Sequence, residues 1–372
     1  MRIAIVVGTR PEIIRLSVII SNLRRDFDVT LIHTGQNYDH ELSAIFFDDL
    51  DISPPDIYLN ALGHTAVATV GNILIESDVV FSERRYDALL ILGDTNSCLS
   101  AYAAKRHKIP VFHLEAGNRC FDQNVPEEIN RRLVDHLSDV NMTYSQIARQ
   151  YLIREGIHPQ QVVCVGSPML EVINRYRDKI SASEIGARLG LSFRKFFLVS
   201  AHREENVDSK ERLTELVEVL EALIHEHNVP AVFSVHPRTR ARMEDFGLEL
   251  PANCMALKPL SFTDYCALQE AALLVVSDSG TITEESSLLD FPAINIRDTQ
   301  ERPEGMEEGV VPFVGLSRDR VLSAARIVIK NLEITERKRV ADYISENTSH
   351  KVSTVLQSYV NYIDRYVWMK GN

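Results

Sequence analysis

Basic residues are in short supply along this chain. Its 372 residues carry 40 Lys and Arg against 52 Asp and Glu, a formal net charge of -12. That balance excludes a general nucleic-acid or anionic-membrane surface, so any anionic ligand must be met by a local basic cluster. Cysteine is scarce as well. Cys98, Cys120, Cys164, Cys254 and Cys266 are odd in number, widely spaced and without a CxxC pair, which excludes a disulfide framework and a structural zinc site. No group of His, Cys, Asp and Glu has ligand spacing, so no metal is expected. No apolar run approaches the roughly 18 residues of a membrane span. The opening MRIAIVVGTRPEII sets its apolar run in a strand-plus-turn pattern instead of behind a charged leader, and the expected location is the cytoplasm.

What the chain does have is rhythm. Ile3–Val7, Val29–Thr34, Leu89–Leu92, Val111–Leu114, Val140–Tyr144 and Val162–Val165 read as strands with helical stretches between them. The pattern restarts with Phe196–Ser200, Ala231–Val235, Met255–Leu257, Leu273–Ser277 and Ala293–Ile296. Continuous apolar strands alternating with helices predict parallel sheets covered on both faces. The fold class is therefore α/β, with two doubly wound domains whose junction falls in the polar stretch Tyr176 to Arg194. Residues 1–175 form the first domain and 176–354 the second. A C-terminal apolar stripe from Val352 to Val367 predicts a helix, whose end, from about 355 to 372, packs back on the first domain.

Ligands of such sheets sit outside the carboxyl ends of the strands. The residues there form an unusual set: Gly8-Thr9-Arg10-Pro11-Glu12, Gly93-Asp94-Thr95, Glu115-Ala116-Gly117, Ala201-His202-Arg203-Glu204-Glu205 and Asp278-Ser279-Gly280-Thr281. Each alone is explained as well by a helix cap or a solvated loop. Five strand ends carrying Arg, Asp, Glu, His and Ser-Gly together point instead to a cleft between two domains that holds an anion and transfers protons. Two more carboxylates, Glu127 and Glu128, follow Glu115 in HLEAGNRCFDQNVPEEIN.

The segments VVGTRPEIIRLS, ILGDTNSCLS, HLEAGNRCFDQNVPEEINRR, SAHREEN, VHPRTR, SDSGTITEES and RDTQERPEG together resemble the non-hydrolysing UDP-N-acetylglucosamine 2-epimerase family over nearly the whole chain. The resemblance implies two Rossmann-like domains of the GT-B type facing a cleft, a homodimer, and no metal or redox cofactor. Within the family, GDTNSC, EAGNRCFDQ, the Gly166–Val172 segment and the aromatic tail are most similar to the subgroup that forms UDP-N-acetyl-L-fucosamine from UDP-2-acetamido-2,6-dideoxy-L-talose, for surface polysaccharide such as capsule or O-antigen. Family members acting on UDP-N-acetylglucosamine have a GLRTG-like segment where Gly117–Phe121 stands.

The implied reaction eliminates UDP across C1–C2 of the sugar and adds it back with the C2 proton on the opposite face. By family position Asp94, Glu115 and Glu127 carry the proton transfers, with His202, Arg10, Ser279-Gly280-Thr281 and Arg302 at the diphosphate. Arg15 and Arg119 are expected at the substrate, Tyr265 against uracil and Glu285 at the ribose hydroxyls, whereas Glu128 and Arg131 face structure. Arg15 stands where the family commonly has Lys, and Leu260 where a polar uracil partner occurs. Gln36-Asn37-Tyr38-Asp39 holds only the first Gln of a QxxQ-like segment that builds an allosteric site in bacterial relatives, so no allosteric activation is expected. Rival readings are a UDP-N-acetylglucosamine 2-epimerase forming UDP-ManNAc, a hydrolysing epimerase, a retaining glycosyltransferase of the GT-B type and a silent nucleotide-sugar sensor.

Overall fold

The computed structural model describes residues 1–35, 46–332 and 339–370. The chain divides into two compact units, Met1–Arg175 with Asp342–Asn372, and Tyr176–Ala341. Among the described residues the first unit holds strands β1 (Arg2–Val7), β2 (Asp28–His33), β3 (Ile57–Tyr58), β4 (Ala88–Leu92), β5 (Val111–Leu114), β6 (Val140–Thr143) and β7 (Val162–Cys164). They pair in parallel in the order β3-β2-β1-β4-β5-β6-β7. The second unit holds β8 (Phe197–Ser200), β9 (Ala231–Ser234), β10 (Cys254–Leu257), β11 (Leu274–Ser277) and β12 (Ala293–Asn295), also parallel, in the order β10-β9-β8-β11-β12. Both units are therefore doubly wound α/β layers. All residues of β4 and β5 are buried, the mark of a strand covered on both faces.

In each sheet the strand order reverses once, between β1 and β4 and between β8 and β11. The loops leaving those strands diverge and open a crevice at their carboxyl ends. The Arg10 and Asp94 segments leave the first switch point, and the His202 and Asp278-Ser279 segments leave the second.

The chain rejoins the first unit at Asp342, earlier than the expected return near 355. Polar anchors account for the earlier crossing. The Asp342 carboxylate accepts the Gln146 N–H, Thr348 Oγ1 donates to the Val165 and Ser167 carbonyls, and Glu171 accepts the Ser349 N–H, all before the apolar face of the helix Thr348–Tyr366 is under way. Among the described residues no helix is long and apolar enough to cross a membrane.

Candidate active site

The first switch point is stapled by a carboxylate. Thr9 precedes the helix Arg10–Asp26, and Glu12, three residues on, completes a capping box. Its carboxylate reaches further than a cap requires. Oε2 accepts the Gly8 and Thr9 N–H groups at 2.5 and 2.8 Å, and Oε1 accepts Thr95 Oγ1 and Ser97 Oγ at 2.6 and 2.5 Å. The loop after β1, which carries Arg10, is thereby tied to the loop after β4, which carries Asp94. Burial pushes the Glu12 carboxyl above its ordinary range, and the four donors oppose that shift. The Arg10 guanidinium lies over the Phe46 ring, 5.6 Å from its centroid.

Asp94 is held by the next helix. Arg131 Nε and Nη2 donate to Asp94 Oδ2 at 3.0 and 2.5 Å, and Asn130 Nδ2 donates to the Asp94 carbonyl at 2.9 Å. Both partners lie on the helix Pro126–Leu137, in whose first turn Glu127 sits half-buried. Glu128 beside it is fully buried and accepts the Cys120 N–H, Arg131 Nη1 and Arg132 Nε. Burial alone would raise the Glu128 carboxyl, but these donors hold it below its ordinary range.

Glu115 emerges from β5 with φ at +67°, a left-handed backbone that costs a non-glycine residue on the order of 1 kcal/mol or more. Its carboxylate is fixed by an ion pair with Arg15 Nη1, both side chains being less than a tenth exposed, and by Asn118 Nδ2 at 3.3 Å. Arg15 also stands over the Tyr144 ring, 5.8 Å from its centroid. A planar cation at this position thus serves Glu115 from below while stacking on an aromatic face.

Arg119 is a correction to the sequence reading. The expected substrate ligand has a fully buried side chain spent on internal partners: Nε and Nη2 on Glu155 at 2.8 and 2.7 Å, Nη1 on Asp135 at 2.7 Å and on the Asn118 carbonyl at 2.7 Å. A bidentate Arg–carboxylate pair inside the unit leaves the guanidinium committed to the scaffold.

In the second unit Asp278 staples the switch point as Glu12 does in the first, but from the other of its two strands. Fully buried after β11, it accepts the backbone N–H groups of His202 and Arg203 from the loop after β8, and Asn206 Nδ2, at 3.0 to 3.2 Å. His202 Nδ1 lies 3.1 Å from Asp278 Oδ1 while its ring remains two-fifths exposed. Burial acts to raise the Asp278 carboxyl, yet His202, the Arg203 N–H and Asn206 prevail and hold it down from 3.8 to about 2. Because the folded carboxyl titrates below the unfolded one, its stabilisation is present above pH 3.8 and is lost as the pH falls towards 2. Asp278→Asn is therefore expected to lower stability at pH 7 by about 2 kcal/mol, a deficit that narrows between pH 4 and 3 in denaturant titrations.

Ser279, Gly280 and Thr281 enter the helix Ile282–Leu289, with Ser279 Oγ bonded to Thr281 Oγ1 at 2.9 Å. A Cβ on Gly280 would fall 2.3 Å from Glu301 Oε1, so any larger residue there displaces the Glu301 carboxylate. A small pocket opens beside it, lined among others by Asn295, Arg297, Gln300 and Arg302. Arg302 is buried against Glu284 at 3.1 Å. Arg297, which the sequence reading passed over, is buried with Nη1 3.1 Å from Glu301. Tyr265 donates its hydroxyl to Ser200 Oγ at 3.1 Å, and burial pushes its phenol up; Glu285 accepts Gln269 Nε2 at 2.6 Å. The Gln36–Asp39 segment lies outside the described residues.

Two carboxylate-stapled switch points, one rich in further carboxylates and one presenting His202 and a Ser-Gly-Thr helix entry, form a recognisable set. The profile of the family described as UDP-N-acetylglucosamine 2-epimerase matches residues 21–357. The chain belongs to that family. This epimerase is 45% identical to the solved UDP-N-acetylglucosamine 2-epimerase of Rickettsia bellii, with a TM-score of 0.92 over all of both chains. The structure of the Methanocaldococcus jannaschii UDP-GlcNAc 2-epimerase in complex with UDP-GlcNAc and UDP superposes with a TM-score of 0.90 at 33% identity, covering 96% of this chain and all of that one. A third relative, the UDP-2,3-diacetamido-2,3-dideoxy-D-glucuronate 2-epimerase of Pseudomonas aeruginosa, is 33% identical over 88% of this chain and 92% of its own length. The two parallel Rossmann-like units are those of the solved GT-B epimerases, and the protein is an enzyme of the epimerase class.

Proposed function

We propose that the enzyme inverts C2 of a UDP-activated N-acetylamino sugar by eliminating and re-adding UDP. The observation that carries this reading is the first switch point, where Asp94 and Glu115 each have their own buried cationic partner, Arg131 and Arg15, and Glu127 stands on the helix that holds Asp94. The C2 hydrogen of such a sugar is not adjacent to a carbonyl, so direct deprotonation is too slow. One carboxylate takes the C2 proton as the C1–O bond breaks and C1=C2 forms, and the diphosphate leaves with the bonding pair. A second carboxylate then returns a proton to the other face as UDP adds again to C1. Charge developing on the diphosphate is met by His202, Arg10, the Ser279-Gly280-Thr281 helix entry and Arg302. Tyr265 and Glu285 take the uracil and the ribose.

Turnover in D2O is expected to place deuterium at C2 of the product, read by proton NMR on a panel of UDP-sugars. Product without C2 deuterium would refute the elimination route, as a glycosyltransferase would leave C2 unlabelled. For the substrate itself we favour UDP-2-acetamido-2,6-dideoxy-L-talose, because Gly117-Asn118-Arg119-Cys120-Phe121 departs from the GLRTG-like segment next to Glu115. Preference for UDP-N-acetylglucosamine in the same panel would overturn that choice.

The assembly proposed is a homodimer. Val67, Ile75 and Val79 on the helix Ala66–Glu83, Tyr102 on Ser100–Arg106, and Ile129 and Leu133 on Pro126–Leu137 are exposed large apolar residues on neighbouring helices, more than a solvated face needs. Light scattering on the eluting protein is expected to give twice the 42.1 kDa chain mass, and Ile75→Asp with Leu133→Asp to return it to the monomer.

A further inference from the structure

The histidine of the HLEAG segment takes no part in the chemistry above. His113 lies fully buried in β5, two residues before Glu115. Its Nδ1 stands 2.8 Å from Asp135 Oδ1, and its Nε2 stands 2.9 Å from the Gly93 carbonyl oxygen. Neither partner has a proton to give. A peptide carbonyl only accepts, and the Asp135 carboxylate already accepts Arg119 Nη1 and the Gly117 N–H. A neutral imidazole would turn a lone pair towards one of these oxygens, so both ring nitrogens donate.

The polar groups around the ring are linked to one another. Asp135 also accepts Arg119 Nη1 at 2.7 Å and the Gly117 N–H at 3.2 Å, and Arg119 continues to Glu155. Asn141 Nδ2 donates to the Asp135 carbonyl at 2.9 Å. Glu155 in turn faces His136 Nε2 at 3.3 Å, so the chain of partners runs from His113 through Asp135 and Arg119 to the edge of the unit.

The directions in which His113 reaches are those from which the three carboxylates come. Gly93 immediately precedes Asp94, and a Cβ added at Gly93 would lie 3.8 Å from Glu115 Oε2. Glu115 follows His113 on its own strand. Asp135 lies on the helix Pro126–Leu137, about two turns beyond Glu127. We propose that His113 is a positioning residue that fixes the placement of Asp94, Glu115 and Glu127 relative to one another, by donating one hydrogen bond to each element flanking its strand. The inference rests on the reading that these carboxylates transfer the C2 proton. An apolar ring of similar size would fill the space but remove the donor facing the Gly93 carbonyl and leave Asp135 Oδ1 with the Gly117 N–H at 3.3 Å alone.

The test has two arms. Full-length protein labelled with 15N in its histidine rings is examined by NMR at the assay pH, with the His113 signals identified by their loss in His113→Gln or their displacement in Asp135→Asn. One-bond N–H couplings at both ring nitrogens are expected; a ring nitrogen without a proton overturns the proposal. In the second arm His113→Gln is assayed with the UDP-sugar that the wild type epimerises. A single amide group reaches only one of the two acceptors, so kcat is expected to fall by roughly 10- to 100-fold, the scale of a misplaced catalytic group, while the Kd for UDP stays within about twofold. Wild-type kcat in this variant overturns the proposal. Should His113→Gln not fold, Asp135→Asn supplies the variant and the same kcat loss is required of it. A wild type that turns over no UDP-sugar would remove the carboxylate chemistry and with it the role of His113, whereas the couplings would still report the double donation, so the two failures are told apart.

Discussion

Glu127→Gln is expected to lower turnover by roughly 100-fold or more, the usual scale of a general acid–base contribution, with the Kd for UDP little changed. The substitution is isosteric and falls in the first turn of the helix Pro126–Leu137, where a negative charge contributes about 0.3 to 1 kcal/mol through the helix dipole. Folding therefore survives the change, and a lost rate reads as lost chemistry. Binding survives too, because none of the residues proposed for the nucleotide, Arg10, His202, Ser279, Tyr265, Glu285 and Arg302, is altered. Glu128→Gln provides the contrast. Its carboxylate is fully buried and bonded to Cys120, Arg131 and Arg132, so its loss lowers stability and disturbs the Arg131 that holds Asp94. Single-turnover kinetics beside calorimetry of UDP binding separates the two cases. Wild-type turnover in Glu127→Gln would return Glu127 to the role of a helix-start carboxylate.

The strands were readable because each is a short apolar run between helical periods, and the eleven runs seen in the sequence all form strands whose ends agree within one or two residues. β3 escaped because Ile57-Tyr58 is too short to carry a period. The side chains that organise the site were far less readable. Glu12 stands in a visible capping box with Thr9, a local signal, but its second pair of donors, Thr95 and Ser97, comes from a distant strand end that only the fold brings near. Asp278 was visible on the rim but its part in holding the next loop was not, since its donors lie on the neighbouring loop of the sheet. The pairing of Arg15 with Glu115 joins a helix to a strand end, and no spacing rule anticipates it. What the sequence could mark was the rim on which these groups meet, because doubly wound topology sends every strand end to one edge.

Arg119 shows where that logic misleads, and its replacement is expected to act on stability. Position beside Glu115 on the rim made it look like a ligand, whereas the backbone after Gly117 turns the side chain inward to Asp135 and Glu155. A Cβ on Gly117, whose φ is +84°, would meet the Ala148 carbonyl oxygen at 2.5 Å, so the loop is pressed against the scaffold at that point. Arg119→Met keeps much of the volume and removes the charge. Asp135 is then left fully buried without its guanidinium, and breaking such a pair costs about 3 to 5 kcal/mol. For a chain of this size that corresponds to a fall in Tm on the order of 10 °C, measurable by calorimetry. A guanidinium that instead bound substrate would raise KM on removal and leave Tm where it was. Since Asp135 also holds His113 and the Gly117 N–H, the loss is expected to spread to the Glu115 loop, so that kcat falls together with Tm. An unchanged Tm with a raised KM would restore Arg119 to the substrate and show that its partners release it when the sugar arrives.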